Sequence, residues 1–241
     1  MAEQMTKPES ELKVAGMFDR VAPRYDLLNL LLSCGQDRRW RKKMLSLLPL
    51  GPEGVLLDVA TGTGDVLISA AKSQPSWQKL VGADISANML AEAEKKAAAA
   101  GVCRKVSFRQ MSAMSLDLPD NFCHAITIAF GLRNVVDKEK ALAEFSRVLK
   151  PGGQLFILEF FQPDNGLLAR AFQFYFHHIL PRIGGVLSDR EAYRYLPESV
   201  ESFYLLPDLN RHLVAQGMQN IRTISWLFGA CRLVQAKKIV S

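Results

Sequence analysis

The chain has 241 residues, 49% of them hydrophobic and 22% charged, with a formal net charge of +6. With a mean hydropathy of +0.03, this excludes a disordered chain and an integral membrane protein and suits one α/β domain around a single core. The basic balance allows attraction to anionic lipid or nucleic acid. Its densest stretch is only the interrupted run Arg38-Arg39-Trp40-Arg41-Lys42-Lys43, read first as a solvated helix face and second as a contact for anionic headgroups.

In chain order, residues 1–10 are polar with no apolar h-region, so no signal peptide is expected. Helices are expected over 11–20 and 38–48, making residues 1–50 a helical cap ahead of the first strand. Pro49, Gly51, Pro52 and Gly54 close that section. From Val55 the pattern alternates. Strands at 55–59, 80–84, 106–109, 125–130 and 154–159 are interleaved with helices at 65–73, 87–100 and 137–149, the last capped by Asp137. The turn Pro151-Gly152-Gly153 is expected to precede the fifth strand. Such alternation implies a parallel sheet with helices on both faces. An aromatic insert over 160–207 interrupts it. A helix at 208–216 and two strands at 219–225 and 228–236, read as a hairpin, complete a single domain over 1–241. No apolar run reaches the roughly 20 residues needed to span a bilayer. Residues 166–187 come nearest but contain Arg170, His177, His178, Pro181 and Arg182. The cysteines, Cys34, Cys103, Cys123 and Cys231, lack C-x-x-C spacing, which argues against a metal site and fits free thiols in a reducing cytoplasm.

The chemistry centres on Leu57-Asp58-Val59-Ala60-Thr61-Gly62-Thr63-Gly64-Asp65. A strand that turns on glycines into a helix brings backbone close to a ligand and aims free N–H groups at it. Asp84, 20 residues after Gly64, closes the second strand. There a carboxylate can accept from both hydroxyls of a ribose, or it can cap the next helix. The segment from Gly62 to Leu67 has no third glycine, so this is no dinucleotide fingerprint.

The motif Asp58-x-Ala60-x-Gly62-x-Gly64, with Leu149-Lys150-Pro151-Gly152-Gly153 downstream, resembles the glycine motif of class I S-adenosylmethionine (AdoMet) methyltransferases; Ala60 stands where the generic pattern has Gly. Further blocks narrow the resemblance: Tyr25-Asp26-Leu27-Leu28-Asn29 with Ser33, Gly35, Arg38 and Trp40; Ile126 to Val135; Leu180-Pro181-Arg182-Ile183-Gly184; and Tyr193-Arg194-Tyr195-Leu196-x-x-Ser199. In this order, from about Phe18 to the C-terminus, they resemble the ubiquinone/menaquinone biosynthesis C-methyltransferases.

The resemblance implies a Rossmann-like, mostly parallel seven-stranded sheet with a C-terminal antiparallel hairpin, and a helical lid insert over 160–207 holding the substrate tail. It implies AdoMet as cofactor and methylation of a ring carbon of a polyprenylated quinol, either demethylmenaquinol or a 2-polyprenyl-6-methoxy-1,4-benzoquinol. The implied cofactor set is Asp58, Ala60, Gly62, Thr63, Gly64, Asp84, Ile85, Ser112, Ala113 and Ala129, the last able to offer only backbone. Tyr25, Arg133 and Asn134 are implied near the ring, with Arg133 stabilising a phenolate or holding a water with Asn134. Transient contact with a membrane surface is expected, in a cytoplasmic protein peripheral to the inner face. A homodimer or a quinone-biosynthesis complex fits as well, and nucleic acid does not. For His177-His178 a non-catalytic reading is preferred over acid–base chemistry or a metal, because adjacent residues of a helix point apart and no carboxylate motif accompanies them. Two other readings compete: a class I methyltransferase of another small molecule, and a non-catalytic AdoMet- or lipid-binding subunit.

Overall fold

The computed structural model describes residues 7–22, 33, 35–49, 54–74, 76–164 and 198–240. Its helices are α1 (Lys7–Val21), α2 (Gln36–Leu45), α3 (Asp65–Ser73), α4 (Ala87–Ala99), α5 (Lys138–Val148) and α6 (Leu206–Ala215); its strands are β1 (Gly54–Val59), β2 (Trp77–Asp84), β3 (Val106–Gln110), β4 (Cys123–Ala129), β5 (Leu149–Phe160), β6 (Met218–Trp226) and β7 (Cys231–Lys238). The strands form one sheet in the order β3-β2-β1-β4-β5-β7-β6. β1 to β5 are parallel, and β7 pairs antiparallel with both β5 and β6. This is the seven-stranded sheet with a C-terminal hairpin that the sequence led us to expect.

The side-chain alternation of β1 splits the core between the two faces of the sheet. Leu57 and Val59 pack with Val81, Ile126, Phe145 and Leu155 on one face. Leu56 packs with Met44, Leu67, Trp77, Leu80 and Phe156 on the other. Asp58 shares the parity of Leu56 and is therefore only 1% exposed within an apolar layer. From β1 the chain builds outward through β2 to β3, then returns to place β4 on the other side of β1. The crevice beyond the carboxyl ends of β1 and β4 is where an open α/β sheet holds its ligand.

Of the boundaries that differ from the sequence reading, three are set by strand pairing. β2 begins at Trp77 rather than Leu80, because Gly54 pairs with Trp77 before the register shifts. β5 starts at Leu149: Leu149 pairs with Cys123 and Gln154 with Ala125, so Pro151-Gly152-Gly153 lies inside the strand as a bulge rather than as a turn ahead of it. The hairpin strands are 218–226 and 231–238, joined by a 3-10 turn at Leu227–Gly229. Asp137 caps α5 as expected, accepting from the Lys140 N–H at 3.0 Å. The Tyr25 block, the Leu180 block and most of the insert, including His177 and His178, lie outside the described residues.

Candidate functional site

The turn from β1 to α3 is pinned from below. Asp58 accepts from the Thr61 hydroxyl at 2.7 Å and from the Thr127 hydroxyl of β4 at 2.6 Å. One buried carboxylate thus ties the turn to the strand across the crevice. Thr61 N–H donates to the Ala83 carbonyl of β2 at 3.0 Å. Gly64, the N-cap of α3, has φ +80° and no side-chain cap, a conformation that suits glycine. Burial in the apolar layer pushes Asp58 up to about 6 from 3.8, against the opposing pull of the two threonine hydroxyls and Arg41.

That shift has a consequence for stability. An acid whose folded pKa exceeds its unfolded value binds its proton more tightly when folded, so it favours the fold at low pH and loses that contribution as pH rises from about 4 through about 6. The difference amounts to about 3 kcal/mol across the window. Asp58→Asn is therefore expected to flatten the rise in ligand-free stability on acidification from pH 7 to pH 5, as read in urea melts. Parallel pH profiles for the two proteins would contradict it.

Asp84 stands opposite the turn. One carboxylate oxygen accepts from Gly62 N–H at 2.8 Å and the other from Ser86 N–H at 2.9 Å. Burial raises its pKa, while the bonds from Ser86 and Gly62 oppose the rise. The cap of α4 is Ser86, whose hydroxyl accepts from Met89 N–H at 3.1 Å. Asp84 is thus not the helix cap and faces the cavity instead.

The cavity between these elements is lined by Ala60, Gly62, Asp84, Ile85, Ala113 and Asn134 of the sequence-derived set. The other members of the set that fall among the described residues do not line it. Asp58 lies beneath the turn. Thr63 accepts from Lys96 Nζ at 3.0 Å. Gly64 packs toward Phe108 and Ala93. Ser112 donates to the Glu11 carboxylate. Ala129 packs in the apolar layer around Trp40. Arg133 is held by Glu159, whose side chain is 0% exposed, at 2.6 Å. It also donates to the Phe130 carbonyl at 2.7 Å and to the Ser199 hydroxyl at 3.2 Å. The guanidinium that the sequence suggested for a phenolate is thus occupied by a buried ion pair. Its link to Ser199 joins two sequence blocks 66 residues apart.

Sequence reasoning missed one wall and part of another. Glu11, Val14 and Phe18 of α1 line the cavity. The helix is docked by Asp19, which accepts from the Ser86 hydroxyl and from Asn88 N–H. A helix was legible there; its docking partner was not. Met89, Met111, Phe130, Gly131, Val135 and Val136 complete the lining. The last four lie within or beside the Ile126–Val135 block, which was the available signal. Phe130 has φ +60° and Ala60 φ +51°, uncommon for residues with a side chain. Phe130 rests on Phe160 and Trp40 at ring-centroid distances of 4.9 and 6.3 Å.

Gly131 explains what the alanine at position 60 demands. A Cβ on Gly131 would lie 2.5 Å from the Ala60 Cβ. Gly131→Ala alone is expected to cost about 1–3 kcal/mol by overpacking. Ala60→Gly in the same chain should recover most of that, since it vacates the space and relaxes a left-handed backbone. Thermal melts of the single and double variants check this, and absence of rescue would refute the close approach.

The residues fit AdoMet on two observations. Apolar side chains, Ile85, Met89, Met111 and Ala113, flank the carboxylate of Asp84, a slot and acceptor suited to a nucleoside. The Asn134 Oδ1 is buried with no protein hydrogen-bond partner among the described residues, while its Nδ2 donates to the Phe130 carbonyl at 3.3 Å. A buried acceptor without a protein partner, on a side chain that lines a cavity, is accounted for by a donor from a ligand.

The ubiE/COQ5 methyltransferase family model matches residues 5–238. The ubiquinone/menaquinone biosynthesis C-methyltransferase of Syntrophotalea carbinolica is 48% identical over 222 residues, covering 90% of this chain and 92% of that protein. The demethylmenaquinone methyltransferase of Thermus thermophilus is 47% identical over 203 residues, covering 83% and 90%. Among solved structures, a SAM-dependent methyltransferase from Aquifex aeolicus aligns with a TM-score of 0.60 at 20% identity, covering 98% of this chain and 100% of that one. The [4+2]-cyclase SpnF aligns with a TM-score of 0.71 at 20% identity, covering 98% of each chain. A cyclase on the same scaffold shows that these structural likenesses speak for the fold and not for the reaction.

Proposed function

The chain belongs to the ubiE/COQ5 methyltransferase family, and from that premise we propose that it is an AdoMet-dependent C-methyltransferase that methylates a ring carbon of a polyprenylated quinol in menaquinone or ubiquinone biosynthesis. The observation that carries the reading into the structure is one cavity that joins Asp84 and the glycine turn to Asn134, whose Oδ1 has no protein hydrogen-bond partner among the described residues, and to the apolar side chains of Phe130, Val135 and Val136.

Bound AdoMet supplies an activated methyl group for in-line transfer. Asp84 holds the ribose hydroxyls, Gly62 and Ala60 let backbone approach the amino-acid portion, and Ile85, Met89, Met111 and Ala113 flank the adenine. Asp58, Thr63, Gly64 and Ser112 act through these, by fixing the turn, α3 and the β3 end. A quinol ring carbon attacks well once the neighbouring hydroxyl gives up its proton. Asn134 Oδ1 accepts that hydroxyl's hydrogen bond and orients the ring, and the hydroxyl proton leaves to water. The ring carbon that has taken the methyl group then gives up its own hydrogen as a proton to water and the oxygen is reprotonated, which restores the aromatic quinol. Phe130, Val135 and Val136 exclude bulk solvent from the ring face, which strengthens the polar contacts that remain. Arg133 is assigned a positioning role, holding the Phe130 carbonyl that Asn134 also uses. For Tyr25 the ring-side role is the one its sequence block implies. Most of the work is the alignment of two reactants, which lowers the barrier without a strong base.

Calorimetric titration with AdoMet, followed by turnover with a reduced short-tailed demethylated quinol, tests the reading. We expect both binding and methylation. Binding with no turnover on any quinol would instead favour a non-catalytic subunit. The tail of the substrate partitions into lipid, so the reading also places the reaction at a membrane surface. Among the described residues no helix is long and apolar enough to cross a membrane.

A further inference from the structure

β6 runs in the same direction as β5, because both pair antiparallel with β7. Phe160, Cys231 and Trp226 lie level across the three strands. The β6–β7 connection therefore emerges at the end of the sheet that holds the cavity. Its tip carries Leu227 and Phe228, 39% and 54% exposed. Both have left-handed backbone, with φ +50° and +56°. Bulky apolar residues seldom adopt that conformation, and such outliers persist where the surroundings enforce them. Here the tip is braced: the Phe228 carbonyl accepts from Asp164 N–H at 2.8 Å, and Asp164 is bound by Arg232.

A second feature lies beside it. Trp226, the last residue before the tip, has its ring 6.1 Å from that of Trp40 on α2. α2 exposes Arg38, Arg39, Lys42 and Lys43. Its acidic residue, Asp37, is buried and paired with Arg41 at 3.1 Å. The exposed face of α2 is thus cationic with no acidic residue among its exposed positions.

We propose that the Leu227–Phe228 tip and the basic face of α2 together form the docking surface for an anionic lipid bilayer. The tip enters the headgroup boundary while the four cations face the negative surface. Neither signal alone gives stable attachment, and the pair does. The surface turns the cavity end of the sheet toward the lipid, so a tailed quinol can reach the site without leaving the bilayer completely. This inference rests on the quinol reading for its purpose, but its test does not.

The test is co-sedimentation with vesicles containing about one-third anionic lipid, alongside vesicles of phosphatidylcholine alone. The paired variant Leu227→Asn with Phe228→Asn removes the apolar tip using a residue that tolerates left-handed backbone. The quadruple variant replaces Arg38, Arg39, Lys42 and Lys43 by Gln. Ile239 and Val240, also exposed but at the opposite end of the sheet beyond β7, are replaced by Asn as a control. Wild type and the control pair are expected to bind anionic vesicles. Each docking variant should lose about tenfold or more in affinity, and added salt should weaken the wild type. All proteins should turn over a water-soluble short-tailed quinol equally. Absence of wild-type binding to anionic vesicles, or equal binding by all variants, would overturn the proposal. So would a concentration-dependent dimer in sedimentation velocity that the Asn pair abolishes, since the tip would then be a subunit contact. Failure of short-tail turnover in the wild type counts against the methyltransferase reading alone.

Discussion

Asp84→Asn is expected to weaken AdoMet binding about 10- to 100-fold while leaving the protein folded. Each carboxylate oxygen of Asp84 already accepts one backbone N–H, from Gly62 and from Ser86, and the proposed ribose takes the remaining lone pairs. Asparagine keeps the shape but presents an NH2 group toward one of those N–H donors. It also loses the charge that makes such bonds strong. A hydrogen bond to a charged group contributes about 1.5–3 kcal/mol, which sets the range. Because burial already strains the ionised form, the neutral side chain relieves some desolvation, and the fold should not suffer in proportion. Calorimetric titration measures the affinity, and circular dichroism checks that the variant is folded. Unchanged affinity would reduce Asp84 to a brace for the glycine turn.

Arg133→Ala should produce the largest loss of stability, about 3–5 kcal/mol. The Glu159 carboxylate, 0% exposed, receives Arg133 Nη1 at 2.6 Å, Arg133 N–H at 3.1 Å and Phe160 N–H at 2.8 Å. Removing the guanidinium leaves that charge buried with only backbone partners. For a chain of this length the deficit corresponds to a fall in Tm of about 6–20 °C. Adding Glu159→Gln should restore part of it, since the uncompensated charge is gone. The affinity for AdoMet and the turnover should fall together in the single variant, as the Phe130 carbonyl and Asn134 lose their support. Intact stability with collapsed turnover would return Arg133 to direct contact with the ring.

The fold was legible because its signals are local. Glycine at 62 and 64, the apolar run from Val55 to Val59 and the alternation that follows each state one element, and their order fixes a parallel sheet. The bulge at 151–153 was misread because Pro-Gly-Gly marks a break equally well inside a strand and before one. Only the pairing of Leu149 with Cys123 tells them apart. At the site, Gly62 and Asp84 were singled out from motif spacing and Asn134 from the resemblance of its block, and all three line one cavity. The partners of Arg133 were not, because Glu159 is 26 residues away and looks like any strand-end acid until β4 and β5 lie side by side. The α1 wall was invisible for the same reason. Glu11 meets Ser112 across 101 residues of chain, and nothing in an amphipathic helix says which crevice it covers.

The central claim is transfer of a methyl group from AdoMet to a quinol ring carbon. Its most direct measurement is incubation with methyl-labelled AdoMet and reduced demethylated forms of both the naphthoquinol and the benzoquinol, followed by mass analysis of the product. The account predicts a product carrying one labelled methyl on the ring carbon of at least one of the two, with formation depending on the reduced form. No ring-methylated product from either, under conditions where AdoMet is bound, would contradict it.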